Sequence, residues 1–542
     1  MDVAGQWREG FIYPRWAEWA NWGFGEPRFI FYPPFSWMLG ALLGFLLPWK
    51  MVPDAFICLA LVVSGMSMWK FAREWLPEPQ AIAAAALYMV NPYNLVNVYY
   101  RSDFAELLAG ALLPLLLWCA LGVARRGARR GPLLALVFAG IWLTNAPEAV
   151  IATYSLAIVL VVASVTRRSF RPFLAGALSM CCGFGLAAFY ILPAAFERNW
   201  VQIAQAVSDN LQPARNFLFT QASDPEFVAF NWKVSWVALG LILATGIGAV
   251  FAARRRRSIA ETWRAEAFWT LLALGTVSVA LMTRLGLPLW RLLPNLAFVQ
   301  FPWRWLEILA LAFAFFIAAA WSPSRPSLIF SVSSLALVAV FAAIAYSGAA
   351  MVRDGWWDTR DVPVLLAAIR SGQGYEGTDE YQPQGEDRSE LPGNPDPTTR
   401  ADDASPTAAQ PIEALDSSTD SIVSLTDAHV RVDRINRWSS ERKLFMTNSS
   451  APVTLALKLL AFPAWQALVD GREVSLGVQP DTGRLLLPLP AGTHQTEIRF
   501  RRTWDRTAGD AISALSCVAL LIFVYADRKM RPWAKPDPPG SI

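Results

Sequence analysis

The sequence predicts a mainly α polytopic membrane protein with a small extracytoplasmic β-sandwich near its C-terminus, and three observations predict it. Charged residues make up 17% of the 542 and hydrophobic ones 54%, against about 25% charged in soluble chains. The apolar residues gather in runs close to the length of a bilayer crossing. Between residues 422 and 505 these runs give way to short alternating segments separated by turn residues.

Residues 1–52 form an outer loop with juxtamembrane helices. The apolar stretch Phe31 to Trp49 opens on Tyr32-Pro33-Pro34 and is broken again at Pro48, so it reads as juxtamembrane or re-entrant. A helical bundle follows over 53–350. Its apolar windows fall near 53–70, 79–95, 104–122, 131–147, 148–165, 172–193, 234–252, 266–283, 304–320 and 327–349, and 509–526 brings the total to about eleven crossings. Lys70 and Arg73, Arg125 to Arg130, Arg167 to Arg171, Arg254 to Arg257 and Arg528 to Arg531 all fall on one side, which the positive-inside rule makes the cytoplasm. An odd count then sets the N-terminus outside. With no apolar signal segment in Met1 to Glu26, one further helix ahead of Met1 is expected.

Residues 351–421 read as a flexible extracytoplasmic loop. Between 371 and 420 lie twelve acids and two bases among many Pro, Ser, Thr and Gly, too little apolar surface to offset the entropy of ordering. Residues 422–505 carry strand patterns at Val430–Val432, Lys443–Met446, Thr454–Leu457, Arg484–Leu487 and Glu497–Phe500, with turns at Asp470-Gly471 and Ala491-Gly492. Residues 506–542 return through a last helix to a basic cytoplasmic tail.

Several function classes fall away. A net charge of +4 is too small for a nucleic-acid binder. All five cysteines lie in apolar runs, so the polar region has no disulfide framework. The only histidines, His429 and His494, lie in the polar region, which removes histidine-ligated metals and Ser-His-Asp chemistry from the membrane part.

The most informative stretch is Gly10 to Trp16 followed by Asn21-Trp-Gly-Phe-Gly-Glu26-Pro-Arg28 and Phe31-Tyr32-Pro33-Pro34, polar and glycine-rich where a connector would be short. With Pro92-Tyr93, Tyr100-Arg101, Ala105-Glu106, Gln300 to Arg304, Gly377 to Tyr381 and Phe462 to Trp465, it resembles bacterial GT-C-type membrane proteins. The similarity is to the group labelled membrane proteins with a 6-pyruvoyl-tetrahydropterin-synthase-related domain, and it covers nearly the whole chain. The resemblance implies a GT-C-like glycosyltransferase of the bacterial cytoplasmic (inner) membrane, which moves a sugar from a polyprenyl-phosphate carrier to a saccharide, lipid or protein acceptor outside. The pterin label implies no catalysis here, because a pterin synthase needs a histidine zinc site.

Such a reaction needs a carboxylate as general base and positive charge on the departing phosphate, from arginines or from a divalent cation held by carboxylates. No metal ligands are named. The expected base is Glu26, Asp103 or Glu106. Glu26 sits in a loop with no helix to cap, whereas Asp103 and Glu106 also fit capping and helix-dipole roles. The expected substrate-binding residues are Arg15, Asn21, Tyr32, Arg101, Glu148, Trp303, Arg304, Glu380 and Tyr381. Arg suits bidentate phosphate binding, although Arg15 and Arg304 also read as interfacial anchors beside Trp16 and Trp303. Glu148 could equally turn the chain between two helices. The family pattern sets an essential Asp at the outer end of its first transmembrane helix, and here the nearest acid is Asp2. Gly377 to Tyr381 is expected to fold back over the outer loops. The rival readings are a flippase of lipid-linked saccharide and a noncatalytic scaffold of envelope assembly. A transporter would set ionisable groups at mid-membrane.

Overall fold

The architecture follows from where the polar residues interrupt the apolar runs. The computed structural model describes residues 1–220, 224–256, 262–322, 328–354, 361–384, 391, 423–424, 430–480 and 482–529. Among them, eight helices are long and apolar enough to cross a membrane, nine if one bent pair counts as a single span. They include Trp49–Ala72, Ala146–Thr166, Pro225–Arg254, Pro302–Ala320, Val332–Arg353 and Trp504–Asp527. The helix over Pro302–Ala320 is the most buried of the eight (83%) and the one over Trp504–Asp527 the least (6%), so the former is central and the latter peripheral.

Several windows end differently from expectation, each for a local reason. The window 79–95 becomes the helix Glu78–Met89, twelve residues and too short to cross. Pro92 disfavours helix at the residue before it, and the Asn91 side chain accepts from the amides of Tyr93 and Asn94, starting a separate turn. The window 131–147 closes at Trp142, because Asn145 caps the next helix through the Glu148 amide at 2.9 Å. The window 172–193 is broken between Leu186 and Ala188 by a 72° bend. The stretch after Tyr32 forms the helix Pro34–Leu46, thirteen residues long and short of a crossing.

The basic loops meet at one end of the bundle. Arg125 pairs with Glu74 at 2.5 Å, Arg167 with Glu266 at 2.8 Å and Arg129 with Asp527 at 3.2 Å. The outer loop and the C-terminal sheets gather around the other end.

Among the described residues nine strands make two antiparallel sheets: β1 Val423–Ser424, β2 Val430–Ser439, β3 Arg442–Ser449, β4 Val453–Leu460, β5 Trp465–Val469, β6 Arg472–Val474, β7 Gly477–Val478, β8 Arg484–Leu489 and β9 Gly492–Phe500. Their orders are β1-β4-β8-β7 and β2-β3-β9-β5-β6. Every expected strand lies inside one of these. Asp470 and Gly471, both with positive φ (50° and 78°), make the two-residue turn between β5 and β6 with Val469 opposite Arg472. Ala491-Gly492 instead carries the chain from one sheet to the other.

One apolar cluster fills the sheets, and the N-terminal loop supplies part of it. Trp16, Phe24, Ile30 and Phe31 are buried with Phe445, Leu457, Trp465 and Ile498. The Trp16 indole meets Trp465 edge-on with centroids 5.2 Å apart. Gly25 permits this: its φ of 78° is left-handed, and a Cβ there would stand 2.0 Å from the Trp16 indole nitrogen.

Residues 371–384, expected to be part of a flexible loop, instead form a strap pinned across the outer loops. Their backbone groups find partners there: Tyr375 N donates to Trp19 O (2.8 Å), Trp22 N to Tyr375 O (3.0 Å) and Gln202 N to Gln382 O (2.9 Å). The acids from Glu386 to Asp420 lie outside the described residues, as do His429, Arg257 and Arg531.

Candidate functional site

Away from the basic loops, four stretches of chain bring ionisable side chains together. Tyr93, Asn97 and Arg101 recur at a spacing of four and so share a helix face. The turn Asn97–Arg101 is π-helical, a widening that recurs at functional sites. Ser102, at φ 50°, then reverses the chain. Asp103 caps the following helix, its Oδ1 accepting from the Glu106 amide at 3.0 Å.

A second strained turn delivers the other arginine. Gln300 has φ 63° and ψ −61°, and Phe301 N donates to Val299 O at 2.7 Å across it, the rare and costly form of γ-turn. The turn presents the Val299 carbonyl and the Gln300 side chain to Arg304 Nη1, at 2.8 and 3.2 Å.

The two guanidiniums share two carboxylates. Arg101 lies 2.8 Å from Asp103 Oδ2 and 2.8 Å from Glu106 Oε2. Arg304 Nε is 2.8 Å from the same Glu106 oxygen, and its Nη2 is 3.4 Å from Asp103 Oδ2. The contacts to Glu106 Oε2 are close ion pairs without hydrogen-bond alignment. Its other oxygen accepts from the Tyr93 hydroxyl at 2.5 Å and from Asn97 at 3.4 Å. Asn97 also donates to Glu307 Oε1 at 3.1 Å. The Glu307 carboxylate lies against Gly110, where a Cβ would come within 2.8 Å of its Oε2.

Access separates these acids. Glu106, Glu148 and Glu307 are wholly buried, while the Asp103 side chain keeps 17% of its surface. Burial pushes the Asp103 carboxyl up, but Arg101, Arg304 and the Glu106 amide outweigh it and hold it below its ordinary range. Neither Glu148 oxygen has a hydrogen-bond partner among the described residues.

Cavities open on both sides of the segment Tyr100 to Ala105. On one side a cavity of about 540 Å³ is lined by Tyr100, Arg101, Phe230, Lys233, Phe301 and Trp303, among others. Arg101 stacks over the Trp303 ring at 4.9 Å, and Trp303 on Phe301 at 4.7 Å. On the other side a cavity of about 290 Å³ is lined by Tyr32, Ser36, Trp37, Gly40, Phe56, Ser102, Phe104 and Ala105.

A second polar cluster lies in the outer loop. Glu26, wholly buried, pairs with Arg28 at 2.6 Å and accepts from Asn21 at 3.2 Å and from the Thr378 amide at 3.0 Å. Arg28 also donates to the Thr378 hydroxyl at 2.5 Å. These contacts hold the strap to the loop, which gives Glu26 a structural duty. Tyr381 stacks on Phe31 at 5.7 Å, and burial pushes the neighbouring Glu380 carboxyl up, with Glu26 adding to it and Arg28 opposing. Tyr32 links the two clusters: burial raises its phenol, and Asp103, Arg304, Arg28 and Glu106 all act on it.

The structure therefore brings together Asp103, Glu106, Arg101, Trp303 and Arg304, and it gathers Asn21, Glu26, Glu380 and Tyr381 around the strap. Arg15 lies apart, beside the sheets: its amide donates to Glu441 Oε1 at 2.8 Å and its guanidinium sits 5.4 Å from the Tyr13 ring. Glu18 is also at the sheets, 3.7 Å from the buried Lys443. Sequence reasoning missed Asn97 and Lys233 as site members. For Asn97 the spacing of four from Tyr93 and Arg101 was the available signal. Among the described residues no group of three or more His, Cys, Asp or Glu is arranged to hold a metal ion.

A sequence model of the family described as "6-pyruvoyl-tetrahydropterin synthase related domain; membrane protein" matches residues 29–352, a range that contains both cavities and the paired arginines. No curated protein matches the chain.

Proposed function

Because the chain belongs to the family of membrane proteins with a 6-pyruvoyl-tetrahydropterin synthase related domain, we propose that it is a membrane glycosyltransferase. It transfers a sugar from a polyprenyl-phosphate donor to an acceptor on the extracytoplasmic face of the bacterial inner membrane. The carrying observation is the larger cavity, where two cations, Arg101 and Lys233, stand against one acid, Glu226, among aromatic walls, with Lys233 also paired to Asp354 at 2.7 Å. That combination suits a phosphate joined to an isoprenoid chain. Arg101, which lines this cavity, is held by Asp103 and by Glu106, a carboxylate it shares with Arg304, so it meets developing phosphate charge with little reorganisation.

Asp103 is the carboxylate a substrate can reach. Held ionised by its arginines, it is a weak base, and a weak base suffices when the acceptor hydroxyl becomes acidic as its oxygen bonds a cationic sugar carbon. Glu106 positions both arginines. The paired basic loops at the opposite end of the bundle support, through the positive-inside rule, a reading with the site and the sheets outside and the C-terminus in the cytoplasm. In this reading the bundle is GT-C-like and the two sheets form a sandwich.

A flippase is the second reading. It draws on Glu148 and Glu307, wholly buried acids with unpartnered oxygens inside apolar helices. Proteoliposomes loaded with a panel of radiolabelled polyprenyl-phosphate sugars separate the two. Transfer predicts consumption of donor, release of polyprenyl phosphate, and a loss of about a hundredfold in Asp103→Asn. Donor that crosses the bilayer unconsumed, or wild-type transfer by the Asp103, Glu106 and Arg304 variants at normal folded abundance, would overturn the enzyme reading.

A further inference from the structure

The smaller cavity differs from the larger in one respect that decides its occupant: no charged side chain lines it. Its walls are Trp37, Gly40, Val52, Pro53, Phe56, Phe104 and Ala105, and its polar groups are the hydroxyls of Tyr32, Ser36 and Ser102. The segment Tyr100 to Ala105 is a partition between the two spaces. Tyr100 and Arg101 line the larger, charged cavity, Ser102, Phe104 and Ala105 the neutral one, and Asp103 stands between.

The helices that wall the neutral cavity face the bilayer. Pro34–Leu46 carries exposed Phe35, Leu42, Phe45 and Leu46, and Val52–Ala72 carries exposed Leu59, Val62 and Met66. The first of these is thirteen residues long, about 20 Å, and leaves part of the hydrocarbon thickness beside the cavity uncovered. A volume of about 290 Å³ holds the head and first chain segments of a lipid, with its tails remaining among those exposed side chains.

From this chemistry we infer that the neutral cavity admits an uncharged, hydroxyl-bearing membrane lipid of the diacylglycerol type as the sugar acceptor. The inference rests on the glycosyltransferase reading for the word acceptor, and on the cavity alone for the lipid. An anionic headgroup would enter with no cation on the cavity wall to pair with it, and a soluble sugar would forfeit the apolar walls. In the transfer step the lipid hydroxyl oxygen bonds the anomeric carbon and the bond from that carbon to the donor phosphate oxygen breaks. The hydroxyl proton passes to Asp103, and polyprenyl phosphate leaves with the bonding pair.

Gly40 offers the test, because a Cβ built on it meets nothing within 4 Å. Gly40→Phe fills the cavity without displacing backbone, and Gly40→Ala is the control. The full chain is reconstituted in phosphatidylcholine vesicles with a diazirine-bearing diacylglycerol, irradiated, and its labelled peptides are mapped. The expected result is label concentrated on residues 36–56 and 102–105, reduced at least fivefold by Gly40→Phe and unchanged by Gly40→Ala. Label spread evenly over all bilayer-facing helices, or unaffected by Gly40→Phe, would overturn the inference. A parallel arm uses a diazirine-bearing polyprenyl phosphate, expected on Phe230 and Trp303 in all three proteins. Failure of that arm alone tells against the donor reading and leaves the lipid cavity standing.

Discussion

Replacing Glu106 with Gln removes the carboxylate that both arginines approach to 2.8 Å. The ion-paired members of the cluster are two guanidiniums and two carboxylates, and all of them are largely buried. Glu106→Gln leaves two cations on Asp103, of which Arg304 is 3.4 Å away and weakly held. Stranding a buried charge in this way costs about 3–5 kcal/mol. Arg304→Met leaves the opposite imbalance, and it leaves Glu106 paired with Arg101. The double variant restores one cation to one anion, Arg101 on Asp103 at 2.8 Å. It should therefore be more stable than the sum of the single effects by about 2 kcal/mol. The assay is denaturant titration in mixed micelles, run on the four proteins of the cycle. Additive single effects within about 0.5 kcal/mol, or a Glu106→Gln cost below about 1 kcal/mol, would show that the cluster is screened by water and refute the argument from burial.

Three further outcomes are expected. Glu26→Gln should detach the strap, so that hydrogen exchange at the Thr378 amide speeds up by about tenfold or more, the value of one bond to a charged acceptor; unchanged protection would mean that other contacts hold it. Gly25→Ala should cost at least about 2 kcal/mol, because a left-handed φ and a collision with the Trp16 indole both act against it, and the displaced indole should report in tryptophan emission. His494 should titrate above 6.5 by NMR, because its hydrogen bond to Asp470 raises it, and Asp470→Asn should bring it back down. A raised folded value means that the stabilisation is complete below pH 6.5 and is lost as pH rises through the folded value.

The long helices were legible because twenty apolar residues leave the chain few alternatives. The break at Asn91 was legible only in part, since Asn91-Pro92 announces a cap but the run of alanines before it still reads as a span. Arg101, Asp103, Glu106 and Arg304 could be nominated singly as charges beside apolar windows, while their convergence depends on a π-turn and a γ-turn that leave no pattern in composition. Glu26 drew attention because no helix explained it. Its explanation is the Thr378 amide, 352 residues away, which no local reading supplies. Trp16 likewise reads as an interfacial aromatic and proves to be a core residue of the sheets.

That placement of Trp16 bears on how the protein is made. The strands emerge from the ribosome more than four hundred residues after the loop that completes their core, a separation of 426 between Arg15 and its partner Glu441. Until then Trp16, Phe24, Ile30 and Phe31 have only the partners that the bundle supplies, such as Trp200 and Val201, and the N-terminal loop lacks the strand side of its core. Closure of so long a loop is slow, and uncovered apolar surface invites wrong pairings meanwhile. Maturation of this end of the molecule thus comes late in synthesis, and a ribosome that stalls within the bundle leaves behind an N-terminal loop with an unfinished core, a target for chaperones and proteases.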